Sequence, residues 1–92
     1  MLEIKTEGRF KKDMKRLKKS GAVNFGKLKE IIITLEKEEH LDRKYRPHKL
    51  SSKWQDHLEC HIEPDWLLIY RIDSKRKQLI LVRTGSHSDL FG

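Results

Sequence analysis

Apolar and polar residues alternate over Leu2-Glu3-Ile4-Lys5-Thr6, the pattern of a half-buried strand. From about Glu7 the period lengthens. Phe10, Met14 and Leu17 recur at i, i+4 and i+7, the apolar stripe of an amphipathic helix whose other faces carry lysine and arginine. Ser20-Gly21 ends that stripe, and glycine is the usual residue just past a helix. A second helix is predicted from near Asn24 to about Glu38, with Phe25, Leu28, Ile31, Ile32 and Leu35 on its apolar side. So short a break folds the two helices into an antiparallel hairpin.

Residues His40 to Lys53 dissolve into charge, Pro47 and Ser51-Ser52, and are expected to form a loop. Tyr45, Arg46, His48 and Lys49 make that loop a candidate working surface, with Arg46 and Lys49 as substrate-binding residues. Strand patterns then return. Leu58, Cys60 and Ile62 alternate with His57, Glu59, His61 and Glu63, so one face is apolar and the other ionisable. Pro64-Asp65 makes a turn, and Trp66 to Ile72 is apolar on both faces, as suits a central strand. Asp73-Ser74-Lys75 turns the chain again, Gln78 to Arg83 forms the last strand, and Thr84 to Gly92 holds one helical turn before Phe91. One strand, two helices and three strands predict an α+β domain, an antiparallel meander with the helix pair on one face.

At 92 residues the chain is expected to be a single domain spanning 1–92 with a thin core. Charged residues outnumber hydrophobic ones, 38% to 36%, but the apolar positions are clustered and periodic, which excludes disorder. The longest apolar runs, Ile31–Ile33 and Trp66–Tyr70, fall far short of the roughly 20 residues that cross a bilayer. With no charged-then-apolar leader and a lone Cys60, the expectation is a small soluble cytoplasmic protein without a membrane partner.

Twenty-one lysines and arginines against 14 acids give a net charge of +7, which steers the chain toward polyanions. The excess is concentrated between Lys5 and Lys19, where Glu7 and Asp13 are the only acids. A solvated helix face and a nucleic-acid contact both fit that run.

Histidine carries the chemistry. His48 lies in the loop, His61 on the polar face of a strand, and His87 just beyond the last strand. Asp65 follows His61 by four positions, and Arg83 precedes His87 by four. A meander brings the end of one strand to the start of the next, so these pairs converge beneath the His48 loop. Cleaving RNA through its 2′-hydroxyl takes a base, an acid and a cation on the phosphorane. Histidine titrates near neutrality and serves as acid or base, while the arginine fork matches two phosphate oxygens. A zinc site is disfavoured by the lack of His-x-x-x-His spacing and by the positive charge. Neither Ser86 nor Ser88 has the glycine pattern of a nucleophile elbow. Trp54 and Trp66 read as core or loop anchors, Cys60 as inert packing, and Phe91 as a core plug or a site-lining ring.

His48-x-Leu50, Trp54, Glu59-x-His61-x-x-Pro64-Asp65-Trp66-Leu67-Leu68-Ile69-Tyr70 and Arg83-Thr84-Gly85-Ser86-His87-Ser88-x-Leu90-Phe91 resemble the YafQ branch of the RelE-like toxins. These are the toxin halves of bacterial type II toxin–antitoxin pairs, and the resemblance runs the length of the chain. It implies a RelE-like fold: an N-terminal strand and helical hairpin on a small antiparallel sheet, with a short C-terminal helical turn. It implies an mRNA interferase, a ribosome-dependent endoribonuclease that cuts mRNA in the A site and inhibits translation. No metal or other cofactor is expected. A separately encoded antitoxin is the implied protein partner, with operator DNA bound only through it. The family's catalytic positions fall on His48, His61, Asp65, Arg83 and His87, and its substrate-binding aromatics on Trp66 and Phe91. His87 is expected to be the general acid, His48 or Asp65 the base, Arg83 the phosphorane cation and His61 an orienting group; acid and base are interchangeable at this stage. The chain departs from the pattern at Ser52, where a glycine is common, and at Leu58, where an arginine is common. The alternative readings are a non-catalytic basic RNA- or ribosome-binding module and an inactive toxin homologue.

Overall fold

A computed structural model of the chain describes residues 1–21 and 23–92. The chain runs β1 (Glu3–Thr6), α1 (Gly8–Ser20), α2 (Phe25–Glu36), β2 (His48–Lys49), β3 (Leu58–Glu63), β4 (Trp66–Asp73), β5 (Gln78–Gly85) and α3 (His87–Phe91). The five strands make one sheet in the order β1-β5-β4-β3-β2. The expected meander is its centre, with β3, β4 and β5 paired antiparallel.

Both edges differ from the sequence expectation. β1 does not merely accompany the helices: it joins the sheet parallel to β5, with Glu3 opposite Gln78, so the sheet is mixed. Its half-buried alternation does not hold either. Leu2, just before the strand, is buried, but Ile4 is 38% exposed, because an edge strand is held by backbone hydrogen bonds rather than by a covered face. At the other edge the expected loop contributes the two-residue β2 and two 3-10 turns, Arg43–Tyr45 and Ser52–Trp54. Ser52 sits at φ 57, the left-handed conformation that explains why glycine suits this turn.

The helix ends follow local chemistry. Gly21 adopts φ 65 and its N–H donates to the Leu17 carbonyl, while the Asn24 side chain accepts from the Gly26 N–H. Leu28, Ile31 and Leu35 of α2 and Phe10 of α1 pack on Cys60, Ile62, Leu68, Tyr70, Leu79 and Leu81. The opposite face is smaller: Leu67, Ile69, Ile80 and Val82 are covered by Leu90, Leu50 and Trp54. The meander's central strand β4 is therefore buried on both sides, as its composition predicts. Among the described residues no helix is long and apolar enough to cross a membrane.

One position of α1 breaks the apolar rule. Asp13 lies on the buried side beside Phe10, its side chain 4% exposed. Its carboxylate accepts from Arg83 Nε at 2.7 Å, Arg83 Nη2 at 3.1 Å and the Thr84 backbone N–H at 3.1 Å. Thr84 Oγ1 in turn donates to the Leu67 carbonyl and accepts from the Trp66 indole N–H. α1 is thus tied through one carboxylate to β5 and onward to β4.

Removing one partner of a buried ion pair leaves the other charge uncompensated, at about 3–5 kcal/mol. Asp13→Ala is expected to lower unfolding free energy by about that amount in urea titrations; a loss under about 1 kcal/mol would contradict the tether. Cys60 is fully buried, and burial, reinforced by the Glu59 charge, pushes its thiol up to about 12. The thiol is expected to ignore Ellman's reagent in the native protein at pH 8 and to react at one equivalent in denaturant; equal reactivity in both states would show that the core opens readily.

Candidate active site

Residues directly opposite on neighbouring strands share a sheet face, so the register says what the sheet brings together. His48 is opposite Glu59, Glu59 opposite Ile69, and Ile69 opposite Arg83. The next row is His61, Leu67 and Gly85. Strands lie about 4.8 Å apart, so the His48-to-Arg83 row spans roughly 14 Å. Both rows lie on the face that the helical hairpin leaves free, and their middle members, Leu67 and Ile69, are buried in that face's own apolar cluster. Charged and ionisable groups therefore flank a dry floor.

Arg83 owes its place to a bulge. Leu81 is opposite Tyr70 and Arg83 opposite Ile69, which leaves Val82 without a partner between them. An extra residue in one strand re-aims the side chains that follow. Arg83 accordingly shares the face of Ile69 instead of that of Leu81. Its side chain is 12% exposed. The hydrogen bonds it donates to Asp13 raise its already high pKa, outweighing the opposing effect of burial. Among the described residues Nη1 makes no hydrogen bond, which leaves that corner of the fork for an incoming anion.

On the β2–β3 side, Glu59 Oε1 stands 3.2 Å from His48 Nε2 and 3.8 Å from His61 Nε2. The two imidazole rings are 6.2 Å apart. His48 Nδ1 lies 2.8 Å from the Arg46 carbonyl and His61 Nδ1 3.4 Å from that of Pro64. The His48 ring thus has a partner at each nitrogen, whereas His61 is hydrogen-bonded through Nδ1 and lies near Glu59 at the other. Glu59 is buried, and its Oε2 has no hydrogen-bond partner among the described residues.

On the β5–α3 side, Asp65 Oδ1 accepts the backbone N–H of His87 at 3.1 Å. That bond fastens the start of α3 to the β3–β4 turn. Ser86 and Asp89 form a reciprocal capping box, and Asp89's carboxyl is held below its usual range first by its bonds to Ser86 and then by Arg16 and Arg83. Gly85 has φ 156, and a Cβ there would come within 3.1 Å of Arg16 Nη2 and Asp89 Oδ2. Glycine is what lets β5 pass directly into this cap. The His87 ring lies 5.1 Å from that of Phe91, which is 39% exposed and 6.2 Å from Trp54.

The residues expected from the sequence fall into three groups on one face: His48 with His61, Asp65 with His87 and Phe91, and Arg83 in the row between strands. Arg46 and Lys49 are exposed on the His48 rim. Trp66 is the exception. It is 4% exposed on the helical side of the sheet, packed edge-on against Phe25 at 6.0 Å with its N–H bound to Thr84. The expectation that it binds substrate is corrected: its place is the hairpin core, and it lies on the face opposite the histidines. Two participants have no role in the sequence reading. Glu59 is betrayed by sharing the polar alternation with His61, two positions on. Asp13 stands three residues after Phe10, on the apolar stripe of α1, where an acid needs a partner.

The family model described as a bacterial toxin of type II toxin–antitoxin systems, YafQ, matches residues 2–92. An mRNA interferase toxin YafQ from Escherichia coli (strain B / BL21-DE3) is 36% identical over 91 residues, 98% of this chain and 96% of the relative. The crystal structure of a metal-bound toxin from Helicobacter pylori superposes with a TM-score of 0.92 at 42% identity, covering 99% of this chain and 100% of that one. YafQ in the E. coli DinJ–YafQ toxin–antitoxin complex superposes at 0.88 with 35% identity, covering 99% and 98%. The match over nearly the whole chain, on a fold whose C-terminal turn and open sheet face are those the sequence motifs require, places this chain in the YafQ family of type II toxins.

Proposed function

We propose that this chain is an mRNA interferase that cuts mRNA in the ribosomal A site through attack of a 2′-hydroxyl, without a metal ion. The observation that carries the reading is the His48–Glu59–Ile69–Arg83 row, flanked by His61 and His87, on the sheet face opposite the hairpin. The E. coli relative bears the name of that activity.

His48, exposed at the rim with its Nδ1–H given to the Arg46 carbonyl, takes the proton from the 2′-hydroxyl on Nε2, and the Glu59 carboxylate beside Nε2 then steadies the imidazolium. The 2′-oxygen bonds to phosphorus while the bond from phosphorus to the 5′-oxygen breaks. His87, at the opposite end of the floor, gives its proton to that departing oxygen. The products are a 2′,3′-cyclic phosphate and a 5′-hydroxyl. Arg83 steadies the phosphorane through its free corner; Asp13 holds the rest of the fork, so the cation needs no reorganisation as charge develops. His61 orients the phosphate, and Asp65 acts by holding the His87 backbone in place. Arg46 and Lys49 contact the backbone on the His48 side, and Phe91 packs beside His87 against a base.

The antitoxin is the protein partner, as DinJ is of YafQ in the E. coli complex, and operator DNA is engaged through it. The basic face of α1 (Lys11, Lys12, Lys15, Lys18 and Lys19) supplies attraction to ribosomal RNA. A target on the ribosome puts the protein to work in the cytoplasm.

A non-catalytic binding module explains the charge but gives Glu59 no reason to be buried between two imidazoles. Primer extension on mRNA with programmed ribosomes, in Mg²⁺ buffer that keeps them assembled and with 1,10-phenanthroline to remove transition metals, separates the readings. Wild-type protein is expected to cut at in-frame codons, and folded His87→Ala to cut about 10²–10⁴-fold more slowly. Full activity of His87→Ala would remove it from the proton transfer, and loss of wild-type cleavage in 1,10-phenanthroline, restored by added Zn²⁺, would overturn the metal-free route.

A further inference from the structure

The mechanism leaves one part of the open face unused. Beside Phe91 lies a cleft of about 350 Å³, floored by Val82 and Leu90 and walled by Trp54 and His57. Arg9, from the first turn of α1, and Lys53, from the Ser52–Trp54 turn, stand on its rim; Glu7 is the acid among its lining residues. Val82 is the unpaired residue of the bulge that aims Arg83, so the cleft begins one residue from the phosphorane cation. A ladder of rings joins it to the acid: His87 to Phe91 at 5.1 Å, Phe91 to Trp54 at 6.2 Å, and Trp54 to His57 at 5.4 Å.

A second observation marks the same face. Only two buried side-chain polar atoms lack a hydrogen-bond partner among the described residues: Glu59 Oε2 and Trp54 Nε1. An unpaired buried polar group costs about 1–3 kcal/mol. Glu59 is in the candidate active site, and Trp54 packs on the same apolar cluster as the site's floor. Both orphans therefore belong to the open face.

We propose that this cleft binds the RNA nucleotide one beyond the pair that flanks the cut, on the His87 side. Its base packs against Trp54 and His57, and its phosphate lies between Arg9 and Lys53. Aromatic and basic residues interleaved in this way are the chemistry of single-stranded nucleic-acid grooves. The inference rests on the reading of the chain as a ribonuclease and extends its site by one nucleotide. The ring ladder then carries the strand across His87, so that the 5′-oxygen of the cut bond meets the acid.

The test uses RNA that cannot be cut. Fluorescein-labelled 2′-O-methyl dinucleotide and hexanucleotide are titrated into the whole protein and read by anisotropy. Arg9→Ala/Lys53→Ala is expected to weaken hexanucleotide binding about tenfold or more, and Trp54→Leu, which keeps an apolar cover on Val82 and Leu90 but removes the ring, by several-fold. Dinucleotide affinity is expected to change by less than twofold. Lys29→Ala/Lys75→Ala removes the same charge from exposed sites outside the cleft and is expected to have less than a twofold effect on either. Equal hexanucleotide affinities for Arg9→Ala/Lys53→Ala and Lys29→Ala/Lys75→Ala would overturn the proposal, as would failure of the wild type to bind the hexanucleotide. Because no strand is cut here, cleft binding without scission in the ribosome assay would refute the ribonuclease reading alone, and scission without cleft binding would refute the cleft alone.

Discussion

A carboxylate buried in a helix face is tolerated only if its charge and lone pairs are met, and Asp13 meets that condition with three donors from β5. The rest of the molecule is arranged around it. The bond to the Thr84 N–H occupies the backbone just past the bulge, and Thr84 then links to β4 through Leu67 and Trp66. The helical hairpin, the central strands and the arginine of the site thus share one polar anchor in an otherwise apolar interior. A buried ion pair contributes little net stability compared with a hydrophobic replacement. What it supplies here is position: the guanidinium is held by two bonds at one edge and left open at the other.

The sheet does the remaining assembly by register. Four strands carry His48, Glu59, Ile69 and Arg83 to one row, and a shift of one residue in any pairing would turn that strand's contribution to the helical face. Two irregularities are tuned to the site. One bulge sends Arg83 to the open face. The other, between His61 and Glu63, leads into the turn from which Asp65 holds His87. α3 is only five residues long, and Asp65, the Ser86–Asp89 capping box and Leu90 fasten it to the sheet.

The meander, both long helices, the glycine that ends the first and the C-terminal turn were legible in the sequence because each rests on local periodicity and turn chemistry. The edges were not. β1 pairs with β5 across more than 70 positions, and two residues of β2 are too few to show a period. The histidines, Asp65, Arg83 and Phe91 stand out as residue types, and the structure puts them on one face. Asp65 meets His87 through the backbone, a contact that residue identity does not reveal. Trp66 looks the same in sequence whether it faces substrate or core, and only the side of β4 on which the hairpin packs decides it. Asp13 was hidden by its neighbours: among so many lysines an acid reads as a surface counter-charge, although its i+3 spacing from Phe10 puts it on the buried stripe.

The central claim is that two imidazoles and a fixed guanidinium drive attack by the RNA's own 2′-oxygen. The chemistry of the cut ends tests it most directly. Mass spectrometry of mRNA fragments released from programmed ribosomes should find a 2′,3′-cyclic phosphate upstream of the cut and a 5′-hydroxyl downstream. A 3′-hydroxyl facing a 5′-phosphate would mean that water, and not the 2′-oxygen, is the nucleophile, and would contradict the mechanism.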